Sequence, residues 1–206
     1  MKSDNVVFAV AGVIFGLIAG WIIGAQQAAP RPVVASQATS AAASADGGAT
    51  SRAAVIDESQ VQALKAVADR EPTNPAPRTQ LANLYFDAEK YDQAISWYEQ
   101  ALKLAPNDPN VNTDLGVCYY YTNQPDKALE QFAHALKINR KHTKTLLNVG
   151  IVKAFGKQDL EGAAQAWQQV IEIAPDSPEG QAAKRALDSL RAAHPSSSGS
   201  AAKPGA

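Results

Sequence analysis

The side chains able to do chemistry are few and scattered. The chain carries three histidines, His134, His142 and His194, and a single cysteine, Cys118. No cysteine pair stands at metal-ligand spacing, the histidines are isolated from one another, and a lone cysteine closes no internal disulfide. No glycine-rich loop follows a strand, because no run alternates as a strand does. Nothing in the order of residues sets a nucleophile beside a base. The expectation is therefore a protein that is not an enzyme and has no cofactor and no bound metal. His134 reads as a solvated or packing histidine. Cys118, between Val117 and Tyr119, reads as a small, half-buried packing residue. The basic run Lys137-Ile138-Asn139-Arg140-Lys141-His142-Thr143-Lys144 reads as a solvated turn with cations at a helix C-terminus, where the macrodipole favours them.

Charge narrows the partners. With 19 Lys and Arg against 20 Asp and Glu, the chain has a formal charge of −1 and a pI near 6.3. Residues 57–193 hold 15 basic and 18 acidic side chains, a net of −3. Neither gives the basic footprint that nucleic acid requires.

What remains is the scaffold. In Pro109–Arg140, apolar residues fall at helical spacing in two runs, Val111-Leu115-Val117-Tyr119 and Ala128-Leu129-Phe132-Ala135-Leu136. Gln124-Pro125-Asp126 separates them, and an acid suits a helix start. Two helices joined by so short a turn lie antiparallel, and Gly116 and Ala128 allow their close approach. A single hairpin cannot bury both its apolar faces, so it requires neighbours of its own kind.

Those neighbours recur every 34 residues. Pro72 is followed by Pro106; Leu81 by Leu115 and Val149; Ala82 by Gly116 and Gly150; Tyr85 by Tyr119; Ala94 by Ala128; Tyr98 by Phe132; Ala101 by Ala135. From Ala163 and Trp167 the match resumes one residue late, which places an insertion in 156–160. The pattern resembles the tetratricopeptide repeat (TPR) over 57–193. Lys153 stands where the repeat has tyrosine, so the third repeat's first helix is expected to pack least tightly. The resemblance implies an all-α, right-handed superhelical solenoid of antiparallel helix pairs. An orphan helix at 57–71 leads, repeats follow at 75–106, 109–140 and 143–175, and a capping helix at 177–193 closes the array, eight helices in all.

The family's grooves are lined by first helices and bind a protein or peptide partner. Carried over position by position, the groove here comprises Asn83 and Phe86, then Val117, Tyr120 and Tyr121, then Lys144, Asn148, Ile151 and Phe155, with Thr79 and Asp114 beside them. The large aromatic groups resemble interaction anchors. A carboxylate clamp of the kind that grips chaperone tails would need five polar groups. Only Asn83 and Lys144 match, so a chaperone-tail receptor is not expected.

Ahead of the repeats, a leader of residues 1–5 precedes Val6–Ala25, twenty residues without charge, enough to span about 30 Å of hydrocarbon as a helix. A cleaved signal peptide competes, but the apolar run is too long and the basic leader too weak, which favours an uncleaved membrane anchor. Gly12, Gly16, Gly20 and Gly24 recur every fourth residue, a stripe through which two anchors could pair as a homodimer. Residues 26–56 read as a disordered Ala/Ser/Pro-rich linker and 194–206 as a disordered tail. The leading expectation is a single-pass membrane-anchored TPR scaffold or adaptor at a bacterial inner membrane, its repeats periplasmic. A cytoplasmic-facing domain is the alternative topology. A chaperone-like assembly factor and a self-associating spacer are the alternative functions.

Overall fold

In a computed structural model, residues 56–194 are described. The leader, the apolar span with its glycine stripe, the linker and the tail lie outside them. Among the described residues there are eight α-helices and one π-helical turn. They are α1 (Glu58–Arg70), α2 (Ala76–Asp87), α3 (Tyr91–Leu104), α4 (Pro109–Tyr121), α5 (Pro125–Ile138), α6 (Thr143–Ile151), α7 (Leu160–Ile173) and α8 (Pro178–Ala193). This is one orphan, three pairs and one cap.

Local chemistry sets the boundaries. Asp57, Asp108, Asp159 and Ser177 each precede a helix and accept backbone N–H groups of its first turn, which otherwise have no partner. Pro109, Pro125 and Pro178 open helices where a missing N–H costs nothing. Each hairpin turn passes through a left-handed residue, Glu89, Asn123 or Gln158, with φ between 55° and 59°.

Packing follows the repeat. Each helix packs on its neighbours in the chain, α6 packs on α4, and α8 packs on α6. The repeat positions supply the core: Ala94, Ala128 and Ala163 are fully buried, as is Phe132, and Tyr98 and Trp167 nearly so. A Cβ on Gly116 would run into the Phe132 ring and approach the Ala128 carbonyl, which confirms the close pairing expected of α4 and α5. A Cβ on Gly150 would overlap the Trp167 indole, whose Nε1 donates to the Leu147 carbonyl at 3.2 Å. In α8, Ala182, Ala183, Ala186 and Leu187 are buried while Lys184, Arg185, Asp188 and Arg191 face solvent, the polar back that ends a solenoid.

Two expectations are corrected in the third repeat. The extra residue is taken up inside the helix, as the π turn Val152–Gly156, rather than in the loop after it. The Lys157 N–H reaches back five residues to the Val152 carbonyl, and the Asp159 N–H reaches six, to Lys153. Loose packing is not the consequence of losing the tyrosine: Thr145, Leu146, Leu147, Asn148, Gly150 and Ile151 are all buried. Lys153 instead turns to Asp159 Oδ2, 3.1 Å away.

Candidate functional site

The first helices α2, α4 and α6 present one shared face. On α2, Thr79, Asn83 and Asp87 recur every fourth residue, so they stand on one stripe with Phe86 beside them. Asn83 is exposed, and its carbonyl oxygen accepts from the Tyr98 hydroxyl at 2.7 Å. That bond leaves the Asn83 amide N–H groups for a partner's acceptor.

Lys144 on α6 donates to Asp114 on α4 at 2.6 Å. Both side chains are about four-fifths buried (21% and 16% exposed), so this pair bridges two repeats in a half-dry setting. Burial pushes the Asp114 carboxyl above its ordinary value, and Lys144 opposes the shift. Asp87 is likewise raised, first by desolvation and then by the negative charge of Asp114. Among the described residues Asp87 has no hydrogen bond and no ion pair.

Next to the Lys144 bridge runs a polar chain through the α4–α6 junction. The Thr113 and Thr145 hydroxyls meet at 2.6 Å, His142 Nδ1 lies 2.5 Å from Thr145 Oγ1, and His142 Nε2 lies 3.1 Å from Asn110 Oδ1. Burial holds the His142 imidazole below its ordinary pKa, with the charge of Lys144 adding to the effect. At the equivalent α2–α4 positions stand Thr79 and Val111, with Ala76 in place of Asn110 and Asp108 in place of His142. There the Thr79 hydroxyl donates to the Pro75 carbonyl at 3.3 Å, and a cavity of about 300 Å³ is lined by Ala76, Thr79, Gln80, Ala105, Asp108 and Val111 among others.

At the hairpin-turn end an aromatic ladder joins the first two repeats. Phe86 meets Tyr91 edge-on at 5.7 Å, and Tyr91 stacks on Tyr121 at 4.5 Å and 10°. Tyr120 lies 6.0 Å from Tyr121 and close to Gly156 of the next repeat. Burial raises the Tyr121 phenol to about 12.

The nine expected groove residues therefore divide. Asn83, Tyr120, Tyr121, Lys144 and Phe155 retain exposure on the face. Phe86, Val117, Asn148 and Ile151 are buried, between 5% and 8% exposed, so these four expected groove positions offer a partner little surface. Phe86 is covered by Tyr91 of α3, and the Asn148 amide donates to the Lys144 carbonyl of its own helix. Sequence reasoning missed Asp87 and Tyr91. The first could have been found by stepping four residues from Asn83. The second is an aromatic group that opens a second helix, outside the family's groove positions. His134 is exposed and contacts Asn112 Oδ1 at 3.0 Å, and Cys118 is fully buried. Among the described residues no three His, Cys, Asp or Glu side chains gather as a metal site, and no helix is long and apolar enough to cross a membrane.

Comparison with known proteins agrees with this geometry. The tetratricopeptide repeat family model matches residues 75–141. No curated protein sequence matches the chain. Among solved structures, the first TPR domain of human RPAP3 is 27% identical with a TM-score of 0.55, covering 63% of this chain and 99% of that one. The first TPR of Spaghetti (RPAP3) bound to the HSP90 peptide SRMEEVD is 25% identical with a TM-score of 0.52, covering 68% and 98%. The Sgt2 TPR domain from Aspergillus fumigatus is 25% identical with a TM-score of 0.54, covering 64% and 86%. Repeat spacing, helix pairing and these matches together give the described region the fold of an all-helical solenoid like those of tetratricopeptide-repeat domains, the family model itself matching residues 75–141.

Proposed function

We propose that this chain is a single-pass membrane-anchored scaffold that binds a protein or peptide partner on the face formed by α2, α4 and α6. The observation that carries the reading is the composition of that face. It offers an exposed amide at Asn83, an open notch beside Thr79 and a tyrosine-rich edge, which are means of holding a chain. Support comes from a neighbour of the same fold, 25% identical and covered over 98% of its length, that is seen with a peptide bound. The apolar run Val6–Ala25 would hold the domain at a bacterial inner membrane, with the repeats on the periplasmic side and the glycine stripe pairing two anchors. The protein acts by binding and not by catalysis.

The test is co-purification from detergent extract of wild type and of variants on two faces. Asn83→Arg and Thr79→Arg should lose the discrete partner, while Lys103→Glu and Glu130→Lys on the second-helix face should keep it. Equal recovery from both sets would refute binding on the first-helix face.

A further inference from the structure

The first-helix face carries two features that the fold itself does not use. One is the cavity of about 300 Å³ where the start of α2, the end of α3 and the start of α4 meet, walled by Ala76, Thr79, Gln80, Ala105 and Val111, with the Asp108 carboxylate at its edge. At the counterpart positions between α4 and α6 stands the hydrogen-bonded His142–Thr145–Thr113 chain, which the α2–α4 pair lacks. The other is Asp87, two turns along the same stripe from Thr79, without a hydrogen bond or ion pair among the described residues.

The charge around Asp87 is settled by its neighbours. Asp114 is the carboxylate that acts on it across the groove, and Lys144, which could have balanced it, is bound to Asp114 at 2.6 Å. Glu89 follows two residues on, beside the Tyr91–Tyr121 stack. Exposed Lys90 follows Glu89, but it makes no ion pair with Asp87, and the half-exposed tyrosine rings give the apolar stem of a long cation a surface to lie on. An unpaired carboxylate beside another carboxylate works against folding, which is how binding positions often differ from packing positions.

We infer that the partner segment is an extended basic peptide, seating an apolar side chain in the Ala76–Thr79–Val111 notch and a lysine or arginine on Asp87. This rests on the proposed binding face and deepens it. Thr79 and Asp87 are eight residues apart on one helix, about 12 Å at 1.5 Å per residue. An extended chain covers that distance in about four residues at roughly 3.3 Å each. The preferred motif is therefore an apolar residue with a cation about four positions away. The partner's charge would be opposite to that of the EEVD end of the peptide seen on the neighbouring fold.

The full-length chain in detergent, used to select from a display library of random octapeptides, decides this. Selected peptides should be enriched several-fold in lysine or arginine at a fixed spacing of about four from an apolar residue. Asp87→Asn should abolish the enrichment for the cation and leave that for the apolar residue. Ala76→Leu, which fills the notch from its exposed rim, should do the reverse. Circular dichroism confirms that both variants fold. Enrichment for acidic residues, or a basic preference that survives Asp87→Asn, would overturn the basic-peptide assignment while leaving the binding face standing. Selected peptides whose binding is unchanged by Asn83→Arg and Thr79→Arg would overturn the face itself. An empty selection would overturn both.

Discussion

Lys144 Nζ rests 2.6 Å from Asp114 Oδ1 and so ties the third repeat to the second across the face where a partner would lie. Removing the lysine leaves a half-buried carboxylate without its cation. Exposed pairs are worth under about 1 kcal/mol and breaking a buried one costs about 3–5 kcal/mol, so Lys144→Met should cost about 1–3 kcal/mol. The double variant Asp114→Asn/Lys144→Met should recover most of that loss, because no charge is left stranded. Urea titrations of the four proteins measure both quantities, and a single-variant loss below about 0.5 kcal/mol would remove the bridge from the structural account.

Asp87 should make stability fall as pH rises through the acid range. Desolvation and the Asp114 charge raise its folded-state pKa above the ordinary 3.8, so the folded protein holds the proton more tightly than the unfolded chain. The contribution is fully present below about the unfolded value and is lost as pH climbs through the folded one. Asp87→Asn should therefore melt higher than wild type at pH 7, and the gap should close below about pH 4. Thermal melts across pH 3–7 follow it. A wild type that melts higher at neutral pH would mean Asp87 has a favourable partner after all.

Gly150→Ala should be among the costliest small substitutions in the domain. The added methyl meets the Trp167 ring, which is 2% exposed and pinned to the Leu147 carbonyl. Overpacking of this kind costs about 1–3 kcal/mol. Lys157→Ala, which removes only an exposed pair with Asp126, should shift stability by less than about 0.5 kcal/mol. Chemical denaturation of both variants compares them directly.

Cys118 should report unfolding and little else. It is the chain's single cysteine, fully buried, and burial pushes its thiol pKa well above the ordinary value, so the reactive thiolate is scarce in the native state. Labelling by a thiol reagent at neutral pH should be slow and rise with the denaturation curve. Rapid labelling of the native protein would show that the centre of α4 opens locally.

The proposed anchor makes its own claim. External protease on spheroplasts should degrade the repeats if they face the periplasm, and full protection would reverse the topology. Gly16→Ile and Gly20→Ile should reduce crosslinked dimer while Val13→Ile should not, since only the glycine stripe permits close backbone approach. Equal yields from all three would show that the glycines are membrane composition and nothing more.

The helices were legible because their signals are local and repeated. Asp57 and Ser177 mark helix starts by side-chain chemistry alone, and the alternation of Ala82, Gly116 and Gly150 with Ala94, Ala128 and Ala163 fixes which helices touch. The face was only half legible. Period tells which side of a helix a residue takes, and Asn83 and Lys144 both keep exposure on the first helices. It does not tell how far adjacent repeats close on one another. That tertiary packing decides that Ile151 is covered and that Tyr121 spends its ring on Tyr91. The repeat spacing reveals the one-residue insertion but not its place, because a π turn and a longer loop leave the same mark in a sequence.

The turn Val152–Gly156 has a consequence for how this array can change length. In a helix, one added residue is a frameshift, turning every later side chain by about 100°. Here the wider turn takes up the added residue, and the reading frame is restored by Ala163, which is as buried as Ala94 and Ala128. The two helices downstream keep their faces as though nothing had been inserted. Length variation in this domain is thus an edit that stays within one hairpin, and the end of α6 is where the chain has room to make it.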